Sequence, residues 1–291
     1  MCKRWGSLQI LSETKFKFDL ILIDHFLGGA AKASIQTGST AAEYIRERKP
    51  DCPIIGITAA EKATAIDFHK KSIYEDLLEV TSISDHYNLI LSIAASYRTL
   101  VEKRPKNNDD LIKLLKAPKD VIERLTIMIP EDVKRNYKDE SLVINIAKWV
   151  RRGLMLRPGF LYDNLSSATL LGLKEESFIK VKNLFEKAKY NGLFSDEDNE
   201  RWWQTQIRQI LYAQYPDDKS AFPWQLGHKL LKIKKDHSVC HVCGKEFPET
   251  VGYTDETCKT RAPMHVKCSL IHPNFEITLY YDDVRIMEPA K

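Results

Sequence analysis

No stretch of this 291-residue chain is apolar for long. Its longest aliphatic run, Leu20-Ile21-Leu22-Ile23, is far below the ~20 residues a bilayer-spanning helix needs, so no membrane association is expected. No apolar signal core follows Met1-Cys2-Lys3-Arg4-Trp5, which makes the cytoplasm the default compartment. The sequence holds no internal repeat and no low-complexity tract. It also lacks a Gly-rich phosphate loop, a Gly-x-Ser-x-Gly elbow and a His-Glu-x-x-His motif, and the acidic run Asp196 to Glu200 does not have calcium-loop spacing. Nothing in it points to an enzyme. Neither sign of charge dominates: 44 Lys and Arg stand against 40 Asp and Glu, a net +4. The small excess lies in residues 104–231, and a dedicated nucleic-acid binder is usually more strongly basic.

What is present fits a folded soluble protein. Hydrophobic residues make up 43% and charged residues 29%, with 12 Gly and 12 Pro, the balance of globular domains. The length suits two or three of them. Of six cysteines, Cys2 and Cys52 stand alone, while Cys240, Cys243, Cys258 and Cys268 crowd together. Without a signal peptide such a cluster is more often a metal site than a disulfide framework.

Residues 1–103 alternate between strand and helix patterns. Ser7 to Thr14 reads as a short helix. Phe18 to Ile23 reads as a strand buried on both faces of a parallel sheet, and Gly28-Gly29 breaks the chain after it. A helix is expected over Thr40 to Arg48, with Thr37 to Ser39 as caps. Pro53 to Thr58 is a second buried strand, followed by helix from Ala59 to about Lys71. Ile73 to Val80 holds a weaker third strand, and Ser84-Asp85 caps a helix running to Lys103. This order predicts βαβ units. Arg104 to Asp109 is a polar linker. Residues 104–231 then read as a helical domain, with helices at Asp110 to Leu115, Pro118 to Ile129, Ser141 to Arg152, Lys174 to Lys189 and Asn199 to Tyr215. Residues 232–291 form a cysteine-rich module ending in a strand-like run, Phe275 to Tyr281.

The segment Phe18-Asp19-Leu20-Ile21-Leu22-Ile23-Asp24, then Gly28-Gly29, a helix, and Pro53-Ile54-Ile55-Gly56-Ile57-Thr58-Ala59 resembles the receiver domain of bacterial response regulators. The resemblance spans roughly residues 7–103 and implies a doubly wound, flavodoxin-like α/β fold, here without a counterpart of the family's first strand. It implies that Asp24 is the phosphoacceptor and Thr58 the hydroxyl that reorients on phosphorylation. It also implies Mg²⁺ at that site and a histidine-kinase-type ATPase, or another signalling protein, as partner. The chain departs from the family in two respects. No acidic pair to hold Mg²⁺ precedes Ser7, and Leu78-Glu79-Val80-Thr81-Ser82 stands where the family ends its fifth strand in Lys-Pro. The alternative reading of the residues alone is that Asp24 is a strand-end residue capping the Gly28-Gly29 turn.

Cys240-His241-Val242-Cys243-Gly244 has the form of a knuckle whose backbone amides point at two thiolates. His265-Val266-Lys267-Cys268 supplies a second pair with the same two-residue gap. Four such ligands suit a closed tetrahedral Zn²⁺ site of structural type. Cys258 is a rival fourth ligand, and His237, His241 and His272 are further candidates. The module resembles treble-clef zinc fingers. A module of some sixty residues has little core of its own, and metal then supplies folding energy. Lys232, Lys234 and Lys235 just upstream read as a solvated charge run.

In the middle region Leu170, Leu173, Phe178, Val181, Phe185 and Ala188 recur at helical spacing and are expected core. Trp202-Trp203 reads as buried between helices and the module, with an exposed partner-binding anchor as the alternative. Ala168 to Lys182, with Gly172 near a turn, is the best helix-turn-helix candidate, but Glu175 and Glu176 open its second helix where phosphate contacts would fall. The expected function is therefore a response-regulator-like signalling protein relaying a phosphoryl or docking signal to a helical and zinc-stabilised output. An adaptor or effector role in bacterial defence is one setting for so unusual an architecture. A DNA-binding regulator and a phosphorylation-incompetent scaffold are the alternatives.

Overall fold

A computed structural model describes residues 19–26, 37–59, 72–139, 141–156, 159–196, 198, 200–218, 221–231, 237–246, 250–255, 260–265 and 268. The expected helices at Ser7 to Thr14 and through residues 60–71, the Gly28-Gly29 break and the Phe275 to Tyr281 run lie outside them. The chain divides into two units, residues 1–111 with 129–149, and residues 112–128 with 150–291. Among the described residues no helix is long and apolar enough to cross a membrane. The chain is mixed α/β and mostly helical.

In the first unit, β1 (Ile21–Asp24), β2 (Ile54–Thr58) and β3 (Asp76–Glu79) form a parallel sheet in that order. Asp24 pairs with Ile57, and Thr58 with Glu79, so the carboxyl ends of β1 and β2 lie side by side. The central strand β2 buries Ile54, Ile55, Gly56 and Thr58, as a strand covered on both faces must. Helix α1 (Gly38–Arg48) starts at Thr37, whose hydroxyl accepts the Thr40 N–H, a side-chain N-cap. Its Ala42 and Ile45 pack with Ile23, Ile54 and Tyr74. Arg46, on the same helix, donates to the carbonyls of Cys52 and Ile73 and to Glu75 Oε1 at 3.0 Å. Glu75 is buried, and it therefore needs that cation. A 3₁₀ segment (Val80–His86) leads into α2 (Tyr87–Glu102), which buries Ile93, Tyr97 and Leu100. The unit is completed by α3 (Glu131–Arg135) and α4 (Leu142–Lys148).

The expected long helices of residues 104–231 are interrupted, two of them before the second unit's core. Pro118 to Ile129 is a 3₁₀ turn (Lys119–Val121) followed by helix at Ile122–Met128. Ser141 to Arg152 becomes π-helical from Trp149 to Met155, with the Leu156 N–H reaching back five residues to the Arg151 carbonyl.

In the second unit, β4 (Leu161–Tyr162) precedes α5 (Asn164–Leu170) and α6 (Glu175–Val181). Asp163 caps α5 by accepting the Ser166 N–H at 2.7 Å. The expected helix to Lys189 tightens to 3₁₀ geometry from Lys182, and Phe185 leaves helical backbone angles. Trp202–Trp203 is not helical, as Asn199 to Tyr215 predicts, but a strand (β5) pairing antiparallel with β4. The Tyr190 N–H donating to the Arg201 carbonyl extends that pairing. Helix α7 therefore begins at Gln204 and ends at Gln214, and α8 spans Pro223–Leu231.

The core gathers Ala168, Leu171, Leu173, Phe178, Val181, Phe185, Ala188, Trp202, Ile207, Leu211 and Leu226, with Leu170 partly buried beside them. Trp202 is wholly buried, packed edge-on against Phe178 and donating from Nε1 to Asn164 Oδ1. The two tryptophans are thus core, not an exposed anchor. In the described part of the C-terminal module, β6 (Thr250–Asp255) pairs antiparallel with β7 (Thr260–His265).

Candidate functional site

The four-ligand cluster assembles from three pieces of backbone. Val239 and Glu246 form an antiparallel bridge. Between them the Gly244 N–H donates to the Cys240 carbonyl at 2.9 Å, and the Cys240 N–H to the Lys245 carbonyl at 3.0 Å. The turn closes because Gly244 adopts φ +68°, which glycine reaches without steric cost. The His241 N–H donating to the Pro263 carbonyl at 2.9 Å docks this knuckle on β7. His265 ends β7, and its backbone N–H donates to Cys240 Sγ at 3.3 Å. Cys268 follows within three residues.

The ligand atoms of Cys240, Cys243, His265 and Cys268 all lie within 4.8 Å of one another. His265 Nδ1 is 3.2 Å from Cys243 Sγ and 3.8 Å from Cys268 Sγ. A tetrahedral Zn²⁺ with Zn–S bonds of ~2.3 Å sets sulfur-to-sulfur edges of ~3.8 Å, so the donors are positioned to hold such an ion. Among the described residues His265 completes the set; the rival ligand Cys258, like His272, lies outside them. His241 is exposed, and neither it nor His237 belongs to the group.

The surroundings of each group shift its ionisation in a definite direction. Burial raises the pKa of Cys240, but amides of His265, Cys243 and Val242 aimed at its sulfur outweigh that and leave it below the usual thiol range. Burial, and then the adjacent Cys243 and Cys240 thiols, push Cys268 up to about 11. Burial and the nearby Lys245 lower the pKa of His265 and favour its neutral, ligating form. Three clustered sulfurs resist joint ionisation, and a divalent cation removes that resistance. Cys52 is different: burial pushes it up to about 11, the state of an inert core thiol.

The strand-end carboxylate is a separate locus. Asp24 is exposed at the end of β1, and its Oδ1 accepts the Phe26 N–H at 3.0 Å. Thr58 ends β2, buried, with its hydroxyl 3.5 Å from the Ala59 carbonyl oxygen. Helix α1 arrives close by, with the Gly38 N–H donating to the His25 carbonyl at 2.7 Å. A Cβ at residue 38 would stand 2.2 Å from the Asp24 carbonyl oxygen, so only glycine fits.

No family model matches this chain, and no curated protein does.

Among the described residues the Cys₃His group is the one gathering of three or more potential metal ligands. No such group among the described residues includes Asp24. Sequence reasoning missed His25 and Tyr74, which sit directly behind Asp24. A lone His beside a strand end gives no signal until its partner, 49 positions away, is known.

Proposed function

We propose that the chain is a receiver-like signalling protein with a structural zinc centre, taking a phosphoryl group or docking signal from a kinase-type partner. The observation that carries this reading is an exposed Asp24 at the carboxyl end of β1, alongside Thr58 at the carboxyl end of the neighbouring parallel strand. Ligands of open parallel sheets bind at that edge. Oδ1 of Asp24 is held by the Phe26 N–H, which fixes the carboxylate and leaves Oδ2 as the nucleophile. In the transfer, Oδ2 bonds to phosphorus in line with the departing donor group, and that group leaves with its bonding electron pair. The product is an acyl phosphate on Asp24. The Thr58 hydroxyl turns from the Ala59 carbonyl toward a phosphoryl oxygen.

The donor set of the C-terminal centre matches Zn²⁺, which favours thiolate and imidazole in tetrahedral geometry. Four protein ligands leave no open position for water or substrate, so the ion stabilises and does not react.

Intact mass spectrometry of the full chain with Mg²⁺ and a small acyl-phosphate donor tests the phosphotransfer. The expected result is addition of a single phosphoryl group that Asp24→Asn abolishes. No addition in either protein would leave the unit with the sheet alone and put its role in partner docking.

A further inference from the structure

Three observations tie the metal knuckle to the helices of its own unit. The strand leading into Cys240 runs along the turn between α5 and α6: the Ser238 N–H donates to the Gly172 carbonyl at 3.3 Å, and His237 forms an antiparallel bridge with Leu173. That turn is tight, with Gly172 at φ +69°, and its flanking Leu171 and Leu173 are fully buried core residues. The His237 ring meets the His228 ring of α8 edge-on, with centroids 6.0 Å apart. Helix α8 in turn lies so close to the turn that a Cβ on Gly227 would stand 1.9 Å from the Leu171 carbonyl oxygen. Backbone of β6 also runs beside α5.

Among the described residues the knuckle has little apolar support of its own. Its core cluster consists of Cys240 and Met264 with Cys268 packed alongside, and two of these three side chains are ligands. A module of this kind holds its shape through the metal. Ser238 and Cys240 are both buried and only two residues apart, so the order of the ligand strand and the order of the contact with Gly172 and Leu173 stand or fall together.

We infer that metal occupancy at Cys240, Cys243, His265 and Cys268 is read out by the helical unit: the filled site clamps the α5–α6 turn and the seat of α8 through His237 and Ser238, and the empty site releases them. The ion is then an effector of the helices as well as a staple of the tail. This does not depend on phosphorylation of Asp24.

Hydrogen–deuterium exchange of the full chain, zinc-loaded and after stripping with EDTA, tests it. Amides of residues 168–174 and 223–231 are expected to exchange ~10-fold faster in the stripped protein, while β2 and β3 keep their protection. Acceleration confined to residues 237–265, or spread equally over β2 and β3, would overturn the inference. Ser238→Pro removes the N–H that reaches Gly172 without touching a ligand. It should still bind zinc, measured by release to a chromogenic chelator, and lose most of the difference at 168–174. Ser238→Ala keeps the backbone bond and should match wild type. A Ser238→Pro chain with the full wild-type difference would eliminate this route.

Discussion

The Tyr74 hydroxyl lies 3.0 Å from His25 Nδ1, joining the residue after Asp24 to the segment that enters β3. The phenol spans that distance by crossing the strand between them. A Cβ at Gly56 would stand 2.9 Å from Tyr74 Cδ2 and 2.7 Å from Leu77 Cδ1, so the ring occupies space that a side chain on β2 would fill. Burial, with the charges of Asp24 and Glu43 adding to it, raises the Tyr74 pKa well above the usual phenol range and keeps the hydroxyl protonated. The turn carrying Asp24 is therefore backed by a buried hydrogen bond that includes an uncharged phenol.

Gly56→Ala should displace Tyr74 and loosen that backing. Overpacking of a well-filled site costs about 1–3 kcal/mol, so the midpoint of urea unfolding should fall by a matching amount. An unchanged midpoint would mean that the ring relocates without cost, and that the bond to His25 does not support the sheet edge.

Much of the first unit is legible in sequence because its signals are local. Ile54 to Thr58 is the buried strand that its apolar run predicts, whereas Ile21 to Ile23 forms the expected strand but is not buried on both faces, because Leu22 is exposed. Thr37 sits at the cap of the helix that follows, and the third strand falls within Ile73 to Val80. The matched two-residue gaps of Cys240-x-x-Cys243 and His265-x-x-Cys268 likewise pick out the ligands that converge. The second unit is less readable because its geometry depends on distant partners. Trp202 and Trp203 follow a polar run and precede a helix, and nothing nearby says that Leu161 and Tyr162 will pair with them. Nor does the run from Lys174 to Lys189 announce the break at Phe185, which lets that ring stack on Phe178. Asp24 was legible as a strand end, but the His25–Tyr74 bond behind it was not.

The metal centre has a stoichiometric test. Purified protein should carry one zinc per chain, and Cys243→Ser should release it, since the remaining three donors leave a coordination position open. Elemental analysis of the two proteins reads this directly. Equal metal in both would show that Cys243 is not a ligand.

Glu200 gives a pH dependence with a definite sign. Its carboxylate receives Lys182 Nζ at 2.5 Å and Lys189 Nζ at 2.7 Å, and it is mostly buried. Burial alone would raise its pKa, but the two ammonium groups overcome this and leave it below the ordinary 4.5. A carboxylate whose folded pKa is depressed stabilises the fold fully above its unfolded value and loses that contribution as pH falls through the folded one. Glu200→Gln should cost on the order of 1 kcal/mol at pH 7. The gap to wild type in urea unfolding should then narrow once the pH drops below about 4.5. A gap that stays constant down to pH 3 would assign the loss to packing and not to charge.

Two glycines of the second unit should respond to the same added methyl group by different amounts and for different reasons. At Gly227 the new Cβ meets backbone, 1.9 Å from the Leu171 carbonyl oxygen and 2.7 Å from its carbon. Backbone cannot swing aside as a long side chain can, so α8 must lift from the α5–α6 turn and take buried Leu226 with it. A loss of about 3 kcal/mol is expected for Gly227→Ala. At Gly244 nothing lies within 4 Å of the added atom. The cost there is conformational, ~1 kcal/mol for an L-residue at a left-handed φ, and zinc should still bind. Urea unfolding followed by tryptophan fluorescence, with metal content measured alongside, separates the two cases. Comparable losses in both variants would mean that α8 does not approach Leu171 closely enough for a methyl group to matter, and that the seat of α8 is held by side chains alone.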